Sequence, residues 1–154
     1  VTAVGGRQSG LELARALGAD RVIQGHMPEA ADSLPKGFDA PEAIIECTGQ
    51  PAVWELAPGL VRPGGQALLF GGLTGDARVS FSARRIHYDE VTLLGSFHFT
   101  PSDVAEAYRL LTQESLGLGR LITGVRPLTA LQETFDDLEQ GRGVKYALIP
   151  EGVE

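Results

Sequence analysis

The sequence predicts an α/β fold, a parallel sheet with helices on both faces. Short apolar runs alternate with stretches of helical periodicity along most of the chain, and glycine, proline and aspartate punctuate the joints between them. The runs are nearly continuous in apolar residues rather than alternating. Strands buried on two faces need that composition, whereas a sheet wet on one side does not.

The elements follow in order. "VTAV" at 1–4 reads as a strand, Leu11 to Leu17 as a helix stopped by Gly18, and "RVI" at 21–23 as a second short strand. The polar, proline-bearing stretch from Gln24 to Glu42 reads as loop with room for a broken helix. "AIIECTG" at 43–49 is a buried strand, and "PAVWELAPGLV" is a helix that stops before Pro63. "QALLFGG" at 66–72 and, after a polar excursion, "VTLLGSF" at 91–97 complete the strands. From there the pattern turns helical. Thr100-Pro101-Ser102-Asp103 places a hydroxyl at the N-cap, proline at the first helical position and a carboxylate at the third. The helix it opens carries Val104, Tyr108 and Leu111 on one face. Thr129 with Gln132 predicts another start, for a helix whose Leu131, Phe135 and Leu138 share a face until Gly141. "KYALIP" closes as a strand.

Composition narrows the classes of function. With 43% apolar and 21% charged residues over 154 positions, the chain has the make-up of one soluble domain, or of one domain with an appendage. No apolar run approaches the roughly 20 residues that span a bilayer. A formal charge of −7 argues against a surface that tracks nucleic-acid phosphates. Cys47 is the single cysteine, so neither an intrachain disulfide nor a Cys-x-x-Cys zinc site is available within these residues. A reducing cytoplasm is the expected compartment.

The first glycine-rich turn poses a question. A dinucleotide fingerprint reads G-x-G-x-x-G, and setting its outer glycines on Gly5 and Gly10 puts Arg7 where the backbone must come closest to the pyrophosphate. A different turn fits better. The succession "LELARALGAD-RVI", "IIECTG-PAVWELAPGLVRPGGQALLFGG", "IHYDEVTLLGSFHFTPSDVAEAYRLL" and "LITGVRPLTALQETFDDLEQGRGVKYALIP" resembles the C-terminal half of medium-chain, zinc-type alcohol dehydrogenases, nearest in "IHYDEVTLLGSFHFTP" to the sorbitol (polyol) dehydrogenase-like branch.

The resemblance implies a Rossmann-type sheet whose first strand and glycine fingerprint precede Val1, with residues 1–100 as a partial dinucleotide-binding domain. Residues 101–154 would be a helix-helix-strand return segment that packs on an N-terminal catalytic part. "VTAV" then aligns with the family's second strand, and Gly5 stands where an acidic residue usually accepts the ribose 2′-hydroxyl. Gly5 and Gly6 carry no charge to repel a 2′-phosphate, and the planar guanidinium of Arg7 suits its oxygens. NADP(H) is therefore expected over NAD(H), unless Gly5-Gly6 is a plain tight turn and Arg7 a solvated side chain.

Other cofactor-binding positions carry over by motif. Cys47-Thr48-Gly49 lies at the carboxyl edge of the sheet beside the cofactor, while Cys47 itself reads first as a small buried hydrophobe without chemistry. Phe70-Gly71-Gly72 offers backbone near the nicotinamide, and Ser96-Phe97-His98 resembles the segment whose main chain meets the carboxamide. Lys145 matches a basic residue that returns to the pyrophosphate, and reads equally as a plain surface charge before a strand. His26 and His87 read as structural or exposed. The family's zinc ligands belong to its N-terminal part, so no metal ligand and no catalytic residue is expected here.

An isolated chain of this kind is expected to be a fragment, inactive alone, and either fragile or reliant on a strand from another chain, because the missing strand is central in the family sheet. Family members commonly pair subunits through the edge strand near "VTLLGSF", so a dimer or tetramer is expected. Two rivals remain. One is a non-catalytic NADP(H)-sensing or structural subunit, and the other is a flavin- or NAD-binding oxidoreductase whose first turn is "VGGRQSG".

Overall fold

The computed structural model describes residues 1–27 and 39–152. Most of the predicted loop after Gln24 lies outside the described residues. The chain divides into two compact units, one of residues 1–25 with 100–154 and the other of residues 26–99.

In the first unit, β1 (Thr2–Gly5) pairs in parallel with β2 (Arg21–Gln24), Thr2 opposite Arg21 and Gly5 opposite Gln24. Between them α1 runs over Gln8–Ala16, three residues earlier than the apolar periodicity indicates, and buries Leu11. Gly18 ends the helix at φ +103°, with the amides of Gly18 and Ala19 returning to Arg15 and Ala14 carbonyls. Helix α2 (Pro101–Leu111) starts as predicted. Thr100 Oγ1 accepts from the Asp103 amide at 3.3 Å, while the Asp103 carboxylate accepts from the Thr100 amide at 2.7 Å. Hydrogen bonds from the Thr100 amide, and then from the Thr100 hydroxyl, hold the Asp103 carboxyl below its ordinary range.

Strand β6 (Ile122–Pro127, numbered after the three strands of the second unit) is not evident in the sequence, because Gly124 and Arg126 interrupt its apolar pattern. It pairs in parallel with β7 (Lys145–Ile149). The helix between them begins at Leu131 rather than Thr129. A 3-10 turn occupies Leu128–Ala130, and Gln132 donates to Asp136 instead of returning to a cap. Helix α3 (Leu131–Glu139) also turns its polar side inward: Thr134 and Asp137 are buried, while Leu131 and Phe135 are exposed. The cause is Asp137, which accepts hydrogen bonds from both Arg126 and Arg142.

The second unit is a three-stranded parallel sheet in the order β3 (Ala43–Glu46), β4 (Gln66–Leu69), β5 (Thr92–Gly95). Each strand is shorter than its apolar run, since the terminal residues of each run form turns. Helix α4 (Pro51–Leu60) crosses from β3 to β4 and packs Val53 and Ala57 with Val61, Ala67, Leu69 and Val91 into the core. Burying each of the valines and the leucine contributes about 1.5–3 kcal/mol. The polar excursion contains a short helix, α5 (Ala83–His87), with Ile86 as its one large apolar residue and therefore no periodic signal. Its Arg85 donates to the carbonyls of Pro58 and Val61 and pairs with Asp89 at 2.7 Å, satisfying the end of α4.

Every strand pair is parallel. Among the described residues no ladder joins the β1–β2 pair to the β3–β4–β5 sheet.

Candidate functional site

Three turns leave the carboxyl ends of β3, β4 and β5, the edge at which open α/β sheets hold ligands. The first is the most constrained. Glu46 ends β3 only 3% exposed, and its carboxylate accepts from the Thr48 amide at 2.6 Å, the Thr48 hydroxyl at 2.5 Å and the Gly49 amide at 3.2 Å. Its own carbonyl accepts from the amides of Phe70 and Gly71 at 3.0 and 2.8 Å. One residue thereby ties the turn after β3 to the turn after β4.

Glycine makes this junction possible. Gly49 has φ +67°, and a Cβ there would stand 2.4 Å from the Gly72 carbonyl oxygen. A Cβ on Gly71 would stand 2.3 Å from the Gly49 nitrogen and 2.8 Å from Glu46 Oε2. Gly72 faces open space. Trp54, on the first turns of α4, donates its indole N–H to the Gly71 carbonyl at 2.8 Å. The predicted positions Thr48, Gly49, Gly71 and Gly72 thus meet, with Phe70 exposed beside them.

Cys47 is exposed, which corrects its reading as a small buried hydrophobe. Partial burial of the sulfur, followed by the neighbouring Glu46 charge, pushes the thiol above its ordinary value, so it stays protonated near neutrality. Ser96, Phe97 and His98 follow β5 and are exposed, with His98 at φ +61° and its ring 3.8 Å from that of Phe97.

In the other unit, Gly5 closes β1 and its carbonyl accepts from the Gly25 amide at 3.0 Å. Neither Gly5 nor Gly6 has positive φ, so the tight turn that would demand glycine is not formed. Arg7 is exposed, forms no ion pair among the described residues, and donates to the Gly141 carbonyl at 3.4 Å. Lys145, four residues after Gly141, is exposed at the start of β7. The structure brings Arg7 beside the turn that leads to Lys145. His26 and His87 are exposed. Among the described residues no group of three or more His, Cys, Asp or Glu could hold a metal ion.

Sequence reasoning missed Glu46 and Trp54. A carboxylate ending an otherwise apolar strand run, "AIIECTG", was the available signal, since a charge in that position must find partners.

A profile of the family described as "Zinc-binding dehydrogenase" matches residues 1–113. The chain belongs to the zinc-binding dehydrogenase family. Among relatives in this family, D-arabinitol dehydrogenase 1 of Uromyces fabae is 30% identical over 119 residues, 75% of this chain and 32% of that protein. The sorbitol dehydrogenase of Halalkalibacterium halodurans is 24% identical over 153 residues, 97% of this chain and 44% of that protein. A Sinorhizobium meliloti 1021 protein solved with NADP bound shares the fold with a TM-score of 0.80 at 23% identity, over 97% of this chain and 45% of that one. The chain spans less than half the length of these relatives.

Proposed function

We propose that this chain is the cofactor-binding portion, residues 1–100, and the return segment, residues 101–154, of a zinc-dependent alcohol or polyol dehydrogenase. The whole enzyme would transfer hydride between a secondary alcohol and a nicotinamide dinucleotide, as a cytoplasmic dimer or tetramer. NADP(H) is preferred over NAD(H). The turns at Cys47-Thr48-Gly49, Phe70-Gly71-Gly72 and Ser96-Phe97-His98 would present backbone to the nicotinamide half, and Lys145 a positive charge to the pyrophosphate.

One observation supports the cofactor choice: Arg7 is exposed and forms no ion pair among the described residues, and it follows Gly5, which stands in the place of an acidic residue, and Gly6. A guanidinium held, among the described residues, by a 3.4 Å contact to a carbonyl is available to a 2′-phosphate. The donor set fits a dinucleotide in other respects too, since Gly72 leaves space for a ligand and Phe70 and Phe97 present exposed aromatic surface. When bound, the nicotinamide ring supplies the hydride acceptor or donor, and this chain's residues bind and orient it. The described residues do not fit a zinc ion.

The test is a pair of titrations. Arg7→Ala should raise the NADPH dissociation constant by about tenfold or more, in line with a lost charge-assisted hydrogen bond, and leave NADH unchanged. Equal NADPH affinity in both proteins would overturn the phosphate role.

A further inference from the structure

Glu46 is a buried anion without a cation. None of the ion pairs among the described residues includes it, and its carboxylate is instead served by two amides and a hydroxyl from the turn that leads into α4. At a βα turn these amides, together with the positive end of the helix, form the usual seat for a phosphate. Here the protein's own carboxylate occupies that seat. A second anion brought to the same amides would meet a full negative charge within a few ångströms, in surroundings that screen it poorly.

We infer that Glu46 is a positioning residue: an internal anion that closes the turn after β3 to phosphate, locks it against the Gly71-Gly72 turn, and restricts this edge to an uncharged part of its ligand. On the cofactor reading above, on which this assignment of the ligand rests, that part is the nicotinamide riboside. The lock has two sides. The carboxylate fixes residues 48 and 49, while the Glu46 carbonyl fixes residues 70 and 71. A Cβ on Gly71 would stand 2.8 Å from Glu46 Oε2, so a residue with a side chain there would push against the carboxylate.

The first experiment needs no cofactor. Inorganic phosphate is titrated into the isotopically labelled full chain and the amide resonances of Thr48 and Gly49 are followed. The wild type should show no saturable shift, and Glu46→Ala should acquire one in the millimolar range. Should Glu46→Ala fail to fold, Glu46→Gln keeps the side-chain volume and an acceptor oxygen. In Glu46→Gln, amide exchange at Thr48 and Gly49 should be at least tenfold faster than in the wild type. A saturable phosphate shift at these amides in the wild type, or unchanged exchange in Glu46→Gln, overturns the inference.

The second experiment separates positioning from general loss of structure. Glu46→Gln should weaken NADPH about tenfold while adenosine 2′,5′-bisphosphate, which lacks the nicotinamide half, binds as tightly as to the wild type. Equal weakening of both ligands overturns the positioning role. If the wild type binds neither ligand, the cofactor reading fails, and the phosphate titration still decides the part played by Glu46.

Discussion

Glu46 and Asp137 are both buried carboxylates, and they are held in opposite ways. Asp137 sits between Arg126 and Arg142, which neutralise it with charge. Arg126 also lies over the Tyr146 ring at 4.5 Å from its centroid, so the cluster ties α3 to β6 and β7. Glu46 is instead held by the Thr48 and Gly49 amides and the Thr48 hydroxyl, in a turn so tight that only glycine fits against it. The contrast separates scaffold from site. A guanidinium brings a long side chain and shields the carboxylate, which suits joining a helix to a strand. Donors drawn from the turn itself bring in no long side chain from another element, which suits a turn at the ligand-holding edge of the sheet.

The sharpest way to break this comparison is to fill the glycine junction. Gly71→Ala forces a Cβ to within 2.3 Å of a backbone nitrogen. Clashes with backbone fall at or above the usual range for overpacking, so a loss of about 3 kcal/mol or more is expected, or about 6–12 °C in a circular dichroism melt. Gly72→Ala, with nothing in reach of the new methyl, should melt within about 2 °C of the wild type. Equal effects at the two glycines would remove the junction from the account.

A smaller effect is expected at Asp137. Hydrogen bonds from Arg142, then from Arg126, hold its carboxyl below the ordinary 3.8. A group whose folded pKa is depressed contributes stability above its unfolded pKa and loses it as pH falls through the folded one. Stability should therefore erode below about pH 4. Asp137→Asn should flatten that acid limb and lower the melting temperature at neutral pH, by less than Gly71→Ala does. An unchanged acid limb would show that Asp137 does not supply it. Smallest is Thr100→Ala, which removes the hydroxyl half of the α2 capping box. About 1 kcal/mol, or about 2–4 °C, should be lost, and no change would make the cap redundant.

The strands and the α2 start were legible because each is written in a few consecutive residues. "AIIE", "QALL" and "TLLG" are apolar runs, and Thr100-Pro101-Ser102-Asp103 needs no distant partner. What escaped depends on contacts remote in sequence. Strand β6 exists through its pairing with β7, although Gly124 and Arg126 break its pattern. Helix α3 turns Thr134 and Asp137 inward for the sake of Arg126 and Arg142, which its own periodicity does not encode. At the candidate site the glycines were visible as glycines, yet the reason for two of them was not. Gly49 and Gly71 make room for each other and for Glu46, whereas Gly72 alone opens outward.

The bond from Trp54 to the Gly71 carbonyl has a spectroscopic consequence. Trp54 is the single tryptophan among the 154 residues, and its indole nitrogen is anchored on the turn after β4. Indole emission depends on the polarity and hydrogen bonding around the ring. The intrinsic fluorescence of this chain is therefore a local gauge of that turn, sensitive to anything that loosens or covers the Gly71 carbonyl.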